Sequence, residues 1–296
     1  VGQELTKMLQ SLKHRGPDSS GLALYGPRTE QLKVRYVLGD PTETRGLDYE
    51  DRLSRARAEV ERRIAALGAK IVESKADTDY AVRTVIDYDG DLKALTDHIE
   101  AVPGAEVLSI GHSLELVKDL GDANTVAAQY GLDSFQGTHA LGHVRMATES
   151  IVDIAGAHPY WAYPFADVAV VHNGQLTNYH TIRRALEREG HRFQSDCDSE
   201  VIAVYLANQR QQGVSLEVAM KQSLEVLDGV FTYLAVTEDA LGFAKDSMAA
   251  KPLVVYESDD VVAVASEELA IDEVVAPGEK IDTYDPYENE VRVWTV

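Results

Sequence analysis

Four short stretches carry residue types that could do chemistry together. His172-Asn173-Gly174, inside VVHNGQLTNY, offers a side-chain amide beside a glycine N–H. Two such donors can converge on one developing negative charge, as the oxyanion of an acyl-transfer intermediate requires. Asn-Gly is equally the commonest two-residue hairpin turn, so the local pattern permits both readings. In GHVRMATES, Arg145 stands three residues before the hydroxyl of Thr148. A guanidinium fork near a hydroxyl is a natural seat for a carboxylate, although an arginine taken alone more often makes a surface ion pair. In SDCDSEVIAVYL, Asp198 falls where a helix should begin. A carboxylate there either caps the helix, a role open to Asp196 as well, or receives a ligand's ammonium group, slightly weakened by the positive helix end. HRGPDSSG, from His14 to Gly21, joins a Gly-Pro-Asp turn to small residues that let backbone approach a neighbour closely, which a plain helix-to-strand turn would also explain.

Other candidates weigh less. Cys197, the single cysteine, lies among acidic residues that disfavour a thiolate, and it excludes both an internal disulfide and a cysteine-based zinc site. His143, His158 and His172 lack the spacing of a metal site and suit structural or supporting roles. No metal and no cofactor is expected on this chain.

The elements that must hold these groups can be read from periodicity. Leu5, Met8, Leu9 and Leu12 predict an amphipathic helix closing on Gly16, and SSGLALYG a strand. From about residue 28 to 136 the texture changes. EDRLSRARAEVERRIAALGA aligns Leu53, Val60, Ile64 and Leu67 on one helical face, DYAVRTVIDY alternates as a strand, GDLKALTDHIEAV repeats as a helix, and AEVLSIGHS reads as a strand. That order predicts a small α/β module inserted into a larger fold. From THALGHVRMATES onward, VAVVHNG, GVFTYLAVT, LVVY and VVAVASE predict strands, divided by the helices NYHTIRRALEREG and DSEVIAVYLANQR, the latter burying Ile202, Tyr205 and Leu206. Strands that follow one another closely point to mainly antiparallel sheets covered by helices.

Bulk properties narrow the classes. The 296 residues are 45% hydrophobic, enough for a full-sized core. A formal charge of −21 opposes binding to phosphate backbones or anionic lipid, so nucleic acid is not an expected partner. No apolar run reaches the length of a membrane span, and the polar N-terminus is unlike a signal peptide, so a cytoplasmic protein is expected.

In this order, HRGPDSSG, GHVRMAT, AHPY, HNGQLTNY and CDSEVIAVYL resemble the glutaminase domain of class II glutamine amidotransferases, members of the N-terminal-nucleophile hydrolases. The resemblance continues through LDGVFTYLAV, KDSMAAKPLVVY and VVAVASEELA, covering residues 1–27 and 137 to about 275. It implies an α+β fold, a four-layer αββα sandwich formed by residues 1–27 and 137–296, with residues 28–136 as an α/β insertion. It implies that Arg145 holds the α-carboxylate of glutamine with help from Thr148, and that Asp198 takes the α-ammonium. Asn173 and Gly174 would form the oxyanion hole, with His158 and His172 lining the pocket. The long middle segment and GTHALGHVRMATES resemble most the glutaminase-like subunit of N-methylglutamate synthase and its glutamate-synthase-like relatives. That implies a hetero-oligomer in which a separate flavin- and iron–sulfur-containing synthase subunit receives the nitrogen.

The family's nucleophile is a cysteine at the mature N-terminus, whose own α-amine, with an ordinary pKa near 7.7–8, serves as base. The sequence begins Val1-Gly2. The expectation is therefore a fragment truncated upstream by about one strand plus a linker, hydrolysing glutamine in its complete form. The alternative is a catalytically inactive subunit that keeps the pocket to bind glutamine or to scaffold a synthase complex.

Overall fold

The computed structural model describes residues 1–39, 46–146, 154, 156–276 and 281–296. Two layers of antiparallel strands face each other. In one, β1 (Ser19–Tyr25) lies between β6 (Leu114–Leu120) and β7 (His139–Arg145), and beside it β12 (Val254–Glu257) lies between β13 (Val262–Ala265) and β14 (Thr283–Tyr284). The other is a five-stranded sheet in the order β15 (Val291–Thr295), β11 (Ala240–Lys245), β10 (Gly229–Thr237), β9 (Ala169–Leu176), β8 (Tyr160–Trp161). Helices α1 (Gly2–Ser11), α4 (Ala123–Tyr130) and α8 (Glu268–Asp272) cover the first layer, while α5 (Tyr179–Arg188), α6 (Asp198–Gln211) and α7 (Leu216–Val226) lie with the second. The expected αββα sandwich is the fold.

Burial follows from this layering. All seven residues of β1 are buried: α1 and α4 pack on it, and Tyr25 at its end donates to the Val236 carbonyl of β10 in the second sheet. Leu253 and Val255 pack on Phe243 of β11, which draws the β12 sheet onto the same inner face. In α6 every residue from Ser199 to Ala207 is buried, so the narrow apolar face read from Ile202, Tyr205 and Leu206 widens to the whole circumference.

Within residues 28–136, β2 (Leu32–Leu38), β3 (Lys70–Ala76), β4 (Ala81–Asp87) and β5 (Ala105–Gly111) form a separate sheet in the order β3-β4-β2-β5, backed by α2 (Tyr49–Ala66) and α3 (Leu92–Glu100). The same segment also supplies β6, hydrogen-bonded to β1, and α4, packed on it. Charge ties the two sheets together. Glu115 of β6 accepts from Arg35 of β2 (2.7 Å to Nη2) and from Arg83 of β4 (2.7 Å to Nε), and Arg35 also donates to Asp77 at 2.6 Å. Burial alone would raise the Glu115 carboxyl, but the two guanidiniums hold it below its ordinary value.

Candidate active site

Asn173 and Gly174 are not a hairpin turn. They lie inside β9, paired with Thr232 and Phe231 of β10. Glycine is required at the second position: its φ is +143°, and an added Cβ would fall 2.1 Å from the Val230 carbonyl oxygen. The backbone of β10 thus approaches β9 as closely as only a missing side chain permits. Arg145 is the last residue of β7, and its placement explains the HRGPDSSG stretch. A Cβ on Gly16 would lie 2.3 Å from the Arg145 carbonyl carbon, and the Asp18 N–H donates to Arg145 O at 3.2 Å. The turn is therefore built against the strand end that presents Arg145.

Arg145, His143, His158, His172, Asn173 and Gly174 line one cavity of about 720 Å³ between the sheets, within the range of about 300–1,000 Å³ usual for ligand pockets. Its remaining wall is largely apolar, with Leu5, Met8 and Leu9 of α1 on one side and Val262 and Val264 of β13 on another. Two sheet edges border it, since β7 and β13 are each terminal in their sheets.

The polar groups are incompletely satisfied. Among the described residues, Arg145 Nη1 is buried with no hydrogen-bond partner, and so are His143 Nδ1, His158 Nδ1 and His172 Nε2. A buried donor left unmet costs about 1–3 kcal/mol and more when charged, so an unpartnered guanidinium nitrogen in a cavity wall is a standing invitation to an anion. Ser199 Oγ, at the start of α6, lies 2.8 Å from His158 Nε2 and 2.9 Å from His172 Nδ1. His158 stacks on His143 with ring centroids 4.4 Å apart. Burial, then the neighbouring imidazoles and Arg145, push His143 down to about 4 and His158 well below its ordinary value, so both are neutral at pH 7.

The other expected residues divide. Asp198 is not among the cavity-lining residues: its Oδ2 accepts from the Leu176 N–H at 2.8 Å and its Oδ1 lies 3.6 Å from His172 Nδ1. Burial would raise its carboxyl, yet His172 and the Leu176 N–H hold it below the ordinary value. Neither Asp198 nor Asp196 caps α6; Cys197 holds the N-cap position without a side-chain bond, because Asp198 turns back toward β9. Cys197 stays outside the cavity lining, its Sγ 3.5 Å from Ser199 Oγ. Thr148 lies outside the described residues. Sequence reasoning passed over Ser199 and Glu200, which sit beside Asp198 in Asp-Ser-Glu. Glu200, buried, accepts from the backbone N–H of Gln194 and Ser195 and from the Ser195 hydroxyl, fixing the loop that leads into α6. Among the described residues, no group of three or more His, Cys, Asp or Glu could hold a metal, and no helix is long and apolar enough to cross a membrane.

The arrangement can bind a small zwitterion or carboxylate and can stabilise negative charge at Asn173-Gly174. Similarities to known proteins bear on which. A family profile described as a glutamine amidotransferase domain matches residues 143–273. The chain is 39% identical over 298 residues to a provisionally named glutamine amidotransferase of Methanothermobacter thermautotrophicus, covering 100% of this chain and 95% of that protein. It is 36% identical over 272 residues to the glutamine amidotransferase-like protein GlxB of Rhizobium meliloti, covering 92% of this chain and 85% of the relative. Among solved structures, glutamine phosphoribosylpyrophosphate amidotransferase from B. subtilis superposes with a TM-score of 0.60 at 20% identity, covering 99% of this chain and 44% of that one. At that identity the likeness speaks to fold alone.

Proposed function

The chain belongs to the glutamine amidotransferase family, and on that premise we propose that its cavity binds glutamine and that the complete protein releases ammonia from it through a thioester. The observation that carries this reading is the shared cavity of the Asn173-Gly174 pair and a buried Arg145 guanidinium nitrogen that has no partner among the described residues. Arg145, aided by Thr148, takes the α-carboxylate. Asn173 and Gly174 donate to the oxygen of the carboxamide as it becomes an oxyanion. His158 and His172 shape the wall between them. Asp198, an anion one side chain behind that wall, favours an ammonium in the cavity by charge.

The nucleophile in this reading is a thiol borne at the amino end of an extended strand. The edges of β7 and β13, both bordering the cavity and terminal in their sheets among the described residues, support a seat for such a strand, which would pair with each through its backbone. Its α-amine takes the thiol proton as sulfur attacks the carboxamide carbon and returns it to the departing ammonia; water then cleaves the thioester to glutamate. Residues 28–136 are proposed as an addition to this amidotransferase unit. From the resemblance to the glutaminase-like subunit of N-methylglutamate synthase we propose a flavin- and iron–sulfur-containing partner subunit as the site of nitrogen transfer. The test is glutamate release from glutamine by the full-length gene product. Turnover is the expected result; glutamine binding without turnover would replace the enzyme by a glutamine-binding subunit, and neither would remove both.

A further inference from the structure

The polar chain behind the cavity wall contains one proton too few to leave its tautomers free. A serine hydroxyl carries a single proton, yet Ser199 Oγ lies within hydrogen-bond distance of two imidazole nitrogens, His158 Nε2 at 2.8 Å and His172 Nδ1 at 2.9 Å. Asp198 Oδ1, 3.4 Å from Ser199 Oγ, competes for that proton, but the imidazole contacts are shorter by about half an ångström, so one nitrogen accepts from the hydroxyl and the other donates to its oxygen. Asp198 Oδ1, 3.6 Å from His172 Nδ1, decides between them, because a carboxylate favours a proton on the nitrogen it faces.

We propose that Ser199 is a positioning residue that holds His172 as the Nδ1–H tautomer, with Nε2 a bare hydrogen-bond acceptor in the residue adjoining Asn173-Gly174. The proton order then runs from His172 Nδ1–H to Ser199 Oγ, and from the Ser199 hydroxyl to His158 Nε2. His158 keeps its own proton on Nδ1. Burial, which keeps His158 neutral, agrees with its accepting on Nε2. His172 Nε2, buried and without a partner among the described residues, is the free end of the chain. A cavity whose donors are Asn173 and Gly174 thereby gains an acceptor next to them, and a primary amide is the group that has both an oxygen to accept and an N–H to donate. An isosteric carboxylate lacks that donor, so the arrangement favours the amide over its hydrolysed product. This last step rests on the glutamine reading; the tautomer assignment does not.

The experiment is imidazole ¹⁵N NMR on full-length protein labelled at histidine, with and without glutamine, alongside calorimetry. The expected spectrum shows His172 protonated at Nδ1 and bare at Nε2, and His158 bare at Nε2. Ser199→Ala is expected to mix the His172 tautomers and to weaken glutamine about three- to tenfold, the worth of one neutral hydrogen bond. Ser199→Thr, which retains the hydroxyl, is expected to keep the wild-type signature. A wild-type His172 protonated at Nε2 overturns the proposal even should Ser199→Ala not fold, and so does an unchanged His172 signature in folded Ser199→Ala. Absence of glutamine binding alongside the expected tautomers would remove the glutamine reading and leave the assignment of Ser199 intact.

Discussion

Replacing Gly174 by alanine puts a methyl group where β9 has no room. Its ideal Cβ lies 2.1 Å from Val230 O and 2.7 Å from Phe231 Cα, both backbone atoms of β10 and neither a side chain that can swing aside. Reaching ordinary contact demands that the strands part by roughly 1 Å at the Gly174–Phe231 pair. The φ of +143° adds a backbone penalty of about 1–3 kcal/mol for a residue with a side chain. A loss of about 2 kcal/mol is survivable against the usual total of about 5–15. For a chain of this size it lowers Tm by about 3 °C. On the proposed oxyanion role of Gly174, the same displacement would carry its N–H off the oxyanion, and losing one such donor costs about 10²–10³ in kcat. Thermal melting and initial rates of glutamate release from full-length protein measure both. Gly68→Ala is the control: φ is +85° but no heavy atom stands within 4 Å, so a small loss of stability and an unchanged kcat are expected. A Gly174→Ala protein with lowered Tm but wild-type kcat would refute the oxyanion assignment, and one unchanged in both would refute the geometry.

Two further outcomes concern buried charge. His143 titrates near 4 in the folded protein against an ordinary value of 6.5, so between those pH values the unfolded chain binds a proton that the native one excludes. Its contribution is complete above about pH 6.5 and declines toward pH 4, by about 3 kcal/mol at most; His143→Gln should flatten the fall of urea midpoints between pH 7.5 and 5, and parallel curves for the two proteins would contradict it. Glu115→Ala leaves Arg35 to Asp77 and Arg83 to Glu73 at the junction of the two sheets and should cost about 1.5–3 kcal/mol in urea unfolding, whereas Arg62→Ala, on an exposed helical pair with Glu59, should leave the midpoint nearly unchanged. Equal effects would show that the buried cluster is no more than a surface bridge.

Periodicity located β1, α1, α2, α5 and α6, and missed elements whose pattern is set by partners elsewhere in the fold. β6, LELVKDL, buries Glu115, Lys118 and Asp119 beside its leucines, and only their partners on other elements, Arg35 of β2, Tyr160 of β8 and Tyr130 of α4, make that tolerable. An edge position explains β3, KIVESKA, whose residues are exposed or half-exposed and therefore show no apolar stripe. The site shows the same division. Asn173-Gly174 has the local pattern of a turn, and only pairing with a distant strand, β10, makes it strand interior. The carboxylate of Asp198 was legible as special, but its bond to Leu176 N–H depends on how α6 meets β9, which no local window contains. Ser199 carries no periodic signal at all; its importance arises when His158 and His172, 41 and 27 residues away, converge on one hydroxyl.

The measurement that bears most directly on the whole account is glutamine binding by calorimetry to the full-length protein and to its Arg145→Ala variant. A buried guanidinium that meets the ligand's carboxylate contributes about 1.5–3 kcal/mol, so the variant should bind glutamine about 10- to 100-fold more weakly while melting within a few degrees of wild type. Equal affinity in the two proteins would mean that the buried nitrogen of Arg145 does not face the ligand, and the assignment of the cavity would fall with it.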